Sequence, residues 1–209
     1  ISVIIRNRNE ERYIGYAIQS VLDTFKKPEI IVVDNNSTDN SMGIVNTFDF
    51  EDIKTYSIDS YTPGKSLNYG VTKCSNDYIL VLSAHSQIMN CEFGKIKGLL
   101  DEYCVVGGKQ IPIWNGKKIS RRYVWSNFEE HDIINQASES ENRYFLHNAF
   151  AFYTKQILIK YPFDENLSGK EDRYWVNDRI KEGMDSYYDS VTTCHHHYTD
   201  NGATWKGIG

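Results

Sequence analysis

The stretch "EIIVVDNNSTDNS", residues 29–41, decides the fold. Ile30 to Val33 are β-branched without interruption, and no polar residue among them marks a solvent face. A strand of that kind is buried on both sides, as in a parallel sheet covered by helices. The run stops at Asp34 and gives way to Asn35–Asp39, where Ser37 is placed to cap a helix through about Phe48. Upstream, "SVIIR" at residues 2–6 is a second such run, ending in Asn7-Arg8-Asn9-Glu10-Glu11. After it Ile14, Ala17, Ile18, Val21, Leu22 and Phe25 fall on one face of a helix. Downstream, "IKTYSI" (53–58) reads as a third strand, and Pro63 as the first turn of a helix whose Leu67, Val71 and Cys74 share a face. Tyr78–Leu82 is a fourth strand, and it ends abruptly at Ser83-Ala84-His85-Ser86. Strand and helix alternate throughout, the pattern of crossover units in a parallel sheet.

The second half is less regular. "CVVGGKQIPIW" (104–114) and "NAFAFY" (148–153) read as strands, and "GKEDRYWVNDRIKEG" (169–183) as a helix opened by acids and closed by Gly183. "YYDSVTTCHHHYT" (187–199) is a last strand ending in three histidines. Residues 115–145, with Arg121-Arg122 and Trp125, have no clear period and are expected to form loops with short helices. With 209 residues, no repeat and no linker, the chain is read as one domain with a nucleotide-type first half.

Composition narrows the function classes. A net charge of −5 with scattered Lys and Arg argues against nucleic acid as a partner. The four cysteines show neither metal-ligand spacing nor a disulfide framework, so a reducing cytoplasm is expected. No apolar run is long enough to span a bilayer. The chain begins on a strand at Ile1, without a methionine, and so reads as a trimmed piece with any anchor or partner domain outside it.

In a parallel sheet the C-terminal strand tips share one edge, so Asn7–Glu11, Asp34–Asp39 and Ser83–Ser86 should converge. Separately each has a plain explanation: Asp34 and Asp39 suit turn and cap chemistry, and Glu171-Asp172 suits a helix N-terminus. The three consecutive histidines alternate faces on a strand, so at most two share a site. No Gly-x-Gly-x-x-Gly follows the first strand and no Walker-type lysine loop is present. A nucleotide bound here must be held by carboxylates, by a metal and by scattered cationic side chains.

"SVIIRNRNEERYIGYAIQSVL", "EIIVVDNNSTDNS", "TPGKSLNYGVTKCSNDYILVLSAHS" and "FDENLSGKEDRYWVNDRIKEG", taken in order, resemble the inverting family 2 glycosyltransferases of GT-A fold. More narrowly, they resemble bacterial enzymes of capsule and lipopolysaccharide synthesis. The resemblance runs over essentially the whole chain, from Ser2 to His197, and implies a nucleotide-binding half at residues 1–90 and an acceptor-binding and catalytic half at 91–209. It implies an α/β fold with a mostly parallel central sheet flanked by helices, and a nucleotide-sugar donor, most commonly a UDP-sugar. It implies a glycan or lipid-linked glycan acceptor, and a cytoplasmic location that extends to the inner face of the membrane through segments outside this chain.

Residue by residue, the resemblance assigns the base and ribose to Arg6, Asn7, Asn9, Glu10 and Asp34, with Asp39 beside them. It places the acceptor-activating carboxylate at Glu171-Asp172, where the family pattern favours Asp172. The family's metal motif, usually Asp-x-Asp, falls on Ser83-Ala84-His85, and a terminal histidine often completes that site. His85 with His195 or His197 is therefore the expected holder of Mn2+ or Mg2+, the competing expectation being a metal-independent site in which His85 bonds the diphosphate directly. Tyr123, Trp125, Tyr174 and Trp175 are candidates for stacking on the acceptor or for core packing, and His147 and Asn148 for lining the donor sugar.

The chemistry asks for these residue types. Departure of a nucleoside diphosphate builds negative charge that a cation must stabilise. Inversion needs one carboxylate on the opposite face to take the proton of the incoming hydroxyl. Two other readings stand beside this one. A sugar nucleotidyltransferase would want a glycine-rich basic loop after the first strand, which Arg6–Arg12 lacks. A non-catalytic nucleotide- or glycan-binding module of the same fold would have lost its carboxylates, whereas Glu171-Asp172 is intact.

Overall fold

A computed structural model of the chain describes residues 1–118 and 123–200. Arg121-Arg122 and the side chain of Tyr123 lie outside the described residues. In chain order the elements are β1 (Ser2–Asn7), α1 (Ile14–Thr24), β2 (Glu29–Asp34), α2 (Ser41–Val45), β3 (Ile53–Ser57), α3 (Pro63–Lys73) and β4 (Tyr78–Ser83). There follow β5 (Ser86–Asn90), α4 (Phe93–Leu100), β6 (Val105–Trp114), and the short β7 (Lys117–Lys118), β8 (Ile133–Ile134), β9 (Ala137–Ser138) and β10 (Arg143–Tyr144). The chain ends with β11 (Phe150–Thr154), α5 (Lys155–Lys160), α6 (Glu171–Lys181) and β12 (Ser186–His197).

The main sheet runs β3-β2-β1-β4-β11-β6-β12-β5. β1 is parallel to β2 and β4, β2 to β3, and β6 to β12. β11 is antiparallel to both of its neighbours, β4 and β6. A mixed α/β domain with a mostly parallel sheet is what the alternating runs predict. Successive residues of the buried strands feed two cores. Val3, Ile5, Val32 and Leu80 meet Ile14, Ile18 and Val21 of α1 and Ile96 of α4 on one face. Ile4, Ile31, Val33 and Val81 meet Leu67 and Val71 of α3 and Trp175 and Val176 of α6 on the other. Each fully buried aliphatic side chain contributes about 1.5–3 kcal/mol. α3 lies close because Gly70 faces Ile4, where a Cβ would stand 2.7 Å from a methyl carbon.

Three features depart from the sequence reading. The second helix is one short turn, and Ser37 does not cap it, because its hydroxyl is committed to Asp34. β5, α4 and α5 arise where no element was expected. β11, read only as a strand, runs against the parallel set.

At the N-terminal end of β1 and β2 the chain ties itself together. The Ser2 hydroxyl donates to Glu29 Oε2 at 2.6 Å, the Ser75 N–H to the same oxygen at 2.7 Å, and Lys54 Nζ to Oε1 at 2.9 Å. Burial alone would raise the Glu29 carboxyl, but these donors outweigh it and hold the group at about 2.

Candidate active site

Register brings the strand tips together. Asn7 pairs with Asp34 across β1–β2, and Arg6 with Ser83 across β1–β4. Asn7 Nδ2 donates to Asp34 Oδ1 at 2.8 Å, and Ser37 donates from its hydroxyl to Oδ1 at 2.6 Å and from its N–H to Oδ2 at 3.0 Å. Asn9 and Asn36 take left-handed backbone conformations, which asparagine tolerates better than most residues. Asn9 Oδ1 accepts the Thr38 N–H at 2.7 Å, and Asp39 Oδ2 accepts the Glu11 N–H at 2.9 Å. Against the burial that would raise it, Ser41 and these backbone donors hold Asp39 below the usual carboxylate range. Asn7, Asn9, Asp34 and Asp39 thus lie in one seam between the first two strand tips.

Arg6 leaves that seam and pairs with Glu171 Oε1 at 3.0 Å, tying β1 to the first turn of α6. Burial first, and then the charge of Asp172, raise the Glu171 carboxyl, with Arg6 opposing. Asp172 behaves oppositely. Burial would raise it too, but Arg173, His147 and the backbone N–H donors of Asn148 and Arg173 bring it below its ordinary value. Its Oδ2 accepts the Asn148 N–H at 2.8 Å, and its Oδ1 accepts Arg173 N–H at 2.8 Å and Arg173 Nη1 at 3.2 Å. A carboxylate offers about four lone-pair sites. Three are filled, and the open one is on Oδ2.

Glu10, expected beside the ribose, accepts from His85 Nδ1 at 3.1 Å. His85 Nε2 lies 3.0 Å from His196 Nε2, and His196 Nδ1 lies 2.9 Å from Gln110 Oε1. Gln110 Nε2 donates to the His147 carbonyl at 3.1 Å, which fixes its oxygen toward His196. His195 and His197 occupy the other face of β12, where Tyr13 stacks on His197 at 4.8 Å between ring centroids. The imidazole that the structure sets against the His85 ring is that of His196, while the His197 N–H donates to the His85 carbonyl at 2.8 Å. Burial first, then the neighbouring His85 and His147, push His196 well below the ordinary imidazole range. Burial and Arg173 bring His147 down to about 3. Trp175 is buried in the core beneath α3 and α6, Trp125 in a separate small cluster with Val124 and Phe145, and Tyr174 is exposed beneath Arg143 at 4.8 Å.

His196, Gln110 and Arg173 were not anticipated as site groups, and Asn148, expected to line the donor sugar, meets Asp172 through its backbone N–H. Arg173 follows Asp172 directly and so was within reach of the reading. Gln110 and the parity of the histidines depend on how β12 sits against β6.

The sequence model of "Glycosyl transferase family 2" matches residues 2–162. The chain belongs to glycosyl transferase family 2. Among curated proteins of similar sequence, the GalNAc(5)-diNAcBac-PP-undecaprenol β-1,3-glucosyltransferase of Campylobacter jejuni is 25% identical over 183 residues, 85% of this chain and 59% of its own length. An uncharacterized glycosyltransferase of Haemophilus influenzae is 30% identical over 99 residues, 46% of this chain and 40% of that protein. Among solved structures, S. aureus TarS in complex with UDP-GlcNAc superposes with a TM-score of 0.74 at 20% identity, covering 98% of this chain and 60% of that one. The chain spans about three fifths of the length of the Campylobacter relative and of TarS, and two fifths of the Haemophilus protein. No helix among the described residues is long and apolar enough to cross a membrane.

A divalent cation is the group this family's strand tip usually holds. Among the described residues no three His, Cys, Asp or Glu side chains converge as a cage. Two imidazoles do converge. Glu10 and Gln110 each present an acceptor oxygen to an Nδ1, so both Nδ1 atoms carry the proton and the two facing Nε2 atoms carry lone pairs. At 3.0 Å those two lone pairs can share a proton or a metal cation. Outer acceptors that fix the ring tautomer are the usual surroundings of metal-bound histidines. The residues present fit a divalent ion, which His85 and His196 would hold.

Proposed function

We propose that the chain transfers a glycosyl group, with inversion, from a nucleoside-diphosphate sugar to a hydroxyl of a bacterial surface glycan or lipid-linked glycan. The observation that carries this reading is one line of polar side-chain contacts along the sheet edge. It runs from Glu10 through His85, His196 and Gln110 to the His147 carbonyl, and on the next residue the Asn148 N–H reaches Asp172. It joins a phosphate-stabilising group to a proton acceptor.

In the proposed reaction the acceptor oxygen forms a bond to the anomeric carbon while the bond from that carbon to the phosphate oxygen breaks. The hydroxyl proton passes to the open site on Asp172 Oδ2, and the nucleoside diphosphate departs with the electron pair. The transition state is oxocarbenium-like, as in glycoside hydrolysis. Asp172 is assigned as the base because Arg173 and two N–H donors keep it ionised. Glu171 is assigned to hold Arg6. The seam of Asn7, Asn9, Asp34 and Asp39 is assigned to the base and ribose, and uridine is the proposed base, in keeping with the UDP-GlcNAc bound by TarS. The lipid-linked acceptor is suggested by the name of the Campylobacter relative, and capsule or lipopolysaccharide is the proposed product class.

His85 and His196 are proposed to hold Mn2+, since paired imidazoles suit it better than Mg2+. The ion would supply positive charge against the leaving diphosphate.

The test is a panel of UDP-, GDP-, CMP- and dTDP-sugars, each with and without Mn2+, read by binding and by transfer or hydrolysis. Turnover by the wild type, lost in Asp172→Asn with nucleotide affinity retained, supports the reading. Wild type and Asp172→Asn equally silent on every donor, while nucleotide still binds, would establish a binding module instead. Nucleotide-diphosphate affinity unchanged by EDTA would sink the metal assignment and leave His85 to bond the diphosphate directly.

A further inference from the structure

Tyr153 lies at 0% exposure in β11, with its ring edge-on to Phe163 and Trp175. A tyrosine wholly out of water needs a partner for its hydroxyl, and here the hydroxyl donates to Asn148 Oδ1. Burial raises the Tyr153 phenol far above its ordinary range, so the group stays protonated and remains a donor at any working pH. Asn148 is 1% exposed, and its Nδ2 is buried without a hydrogen-bond partner. Among the described residues the Tyr153 hydroxyl is thus the single anchor of the Asn148 side chain. The backbone N–H of Asn148 in turn donates to Asp172 Oδ2, the oxygen that keeps an open lone-pair site.

We propose that Tyr153 is a positioning residue for Asp172, acting through Asn148. The inference rests on the assignment of Asp172 as the base and adds what aims it. Oδ1 of Asp172 is held by its neighbour Arg173 and would stay in place. Oδ2 has only the Asn148 N–H. Asn148 sits on the chain just before β11, between His147 and Ala149, with its side chain pinned by a hydroxyl five residues further on. Removing that hydroxyl leaves a buried amide with neither oxygen nor nitrogen satisfied, and such a group shifts to find a partner. The N–H moves with it, and Oδ2 loses the donor that orients its remaining lone pair. Tyr153 touches no reacting atom; its influence passes through one side chain and one backbone bond.

The experiment compares wild type, Tyr153→Phe, Asn148→Ala and the double variant, with Asp172→Asn as the control for the base. Tyr153→Phe keeps the ring and its packing. It is expected to lower kcat about tenfold, the size of one misdirected charge-assisted hydrogen bond, with donor KM unchanged. In the Asn148→Ala background the same substitution should have no further effect, because the intermediary is gone. A Tyr153→Phe effect that persists in full in Asn148→Ala, or that falls on donor KM instead of kcat, would assign Tyr153 to general packing and overturn the proposal. Exchange of the Asn148 amide hydrogen, followed by NMR, gives a readout that needs no turnover. It should quicken about tenfold or more in Tyr153→Phe, and unchanged protection overturns the proposal even if the wild type transfers no sugar. A silent wild type with faster Asn148 exchange would refute the transferase reading and leave the Tyr153–Asn148–Asp172 link standing.

Discussion

Strand β2 begins at a buried carboxylate, Glu29, and ends at another, Asp34, and the two ends of the sheet are finished differently. Around Glu29, Ser2, Ser75 and Lys54 satisfy both oxygens, and no polar group of that knot is left open. At the other end, Asn7 Oδ1 and Asn148 Nδ2 are buried without partners, and two imidazole nitrogens face each other. Glu171 there is raised by burial and by Asp172, where Glu29 is lowered by its donors. A satisfied end contributes stability. An end with open donors, open acceptors and mutually opposed charges is costly to keep without a ligand, which marks it as the working end.

Substitutions at the two ends should separate cleanly. The largest effect is expected from Asp172→Asn, with a fall of about 10²–10⁴-fold in kcat and little change in melting temperature. Glu171→Gln should cost less, since Arg6 keeps a neutral acceptor; if Glu171→Gln proves the more damaging, the roles of the two carboxylates are reversed. Next come His85→Ala and His196→Ala, each expected to weaken Mn2+-dependent binding of a nucleoside diphosphate by about 10–100-fold, measured by calorimetry. His195→Ala serves as the comparison and should leave that affinity unchanged.

At the other end the readout is stability. Glu29→Gln should lower the unfolding free energy by roughly 1–3 kcal/mol in denaturant titrations while kcat stays the same. The pH dependence follows from the same residue. Its carboxyl sits at about 2 in the folded chain against 4.5 without these partners, so between those values the unfolded state binds more protons and stability rises with pH. The contribution is complete above about pH 4.5 and is lost as the pH falls toward 2. Glu29→Gln should flatten that part of the acid-unfolding curve; an unaltered curve would mean that other carboxylates carry it. The smallest effect is expected from Lys54→Ala, with almost no change in the denaturant midpoint, because Lys54 is solvent-exposed and its pair is screened.

The first half of the fold was readable because its strands are continuous apolar runs and its helices have clear faces. Ile30–Val33 and Ile79–Leu82 needed no partner to be recognised. β5 was not readable. "SQIMN" is an edge strand whose pairing partner, β12, lies about a hundred residues away, and only Ile88 of its apolar residues turns into the core. α4 carries two glycines in eight residues, which hides a helix from propensity. The direction of β11 was equally hidden, because a strand buried on both faces reads alike in either sense. For the site, the clusters and the Glu171-Asp172 pair were visible from strand tips and resemblance. The parity of the histidines was not. Between Asp189 and Thr193 the β12 register slips against β6, so counting along the strand does not tell which imidazole faces His85.

β11 has a consequence of its own. The parallel strands β1, β2 and β4 reach the working edge with their carboxyl-terminal ends, so what they offer a ligand there is mostly acceptors and side chains. β11 arrives with the opposite polarity, so its amino-terminal end, with Asn148 just before it, meets that same edge. It also wedges β4 and β6 apart by two strand spacings, roughly 10 Å. One reversed strand thereby sets a backbone N–H donor, that of Asn148, on an edge that its parallel neighbours finish with carbonyls.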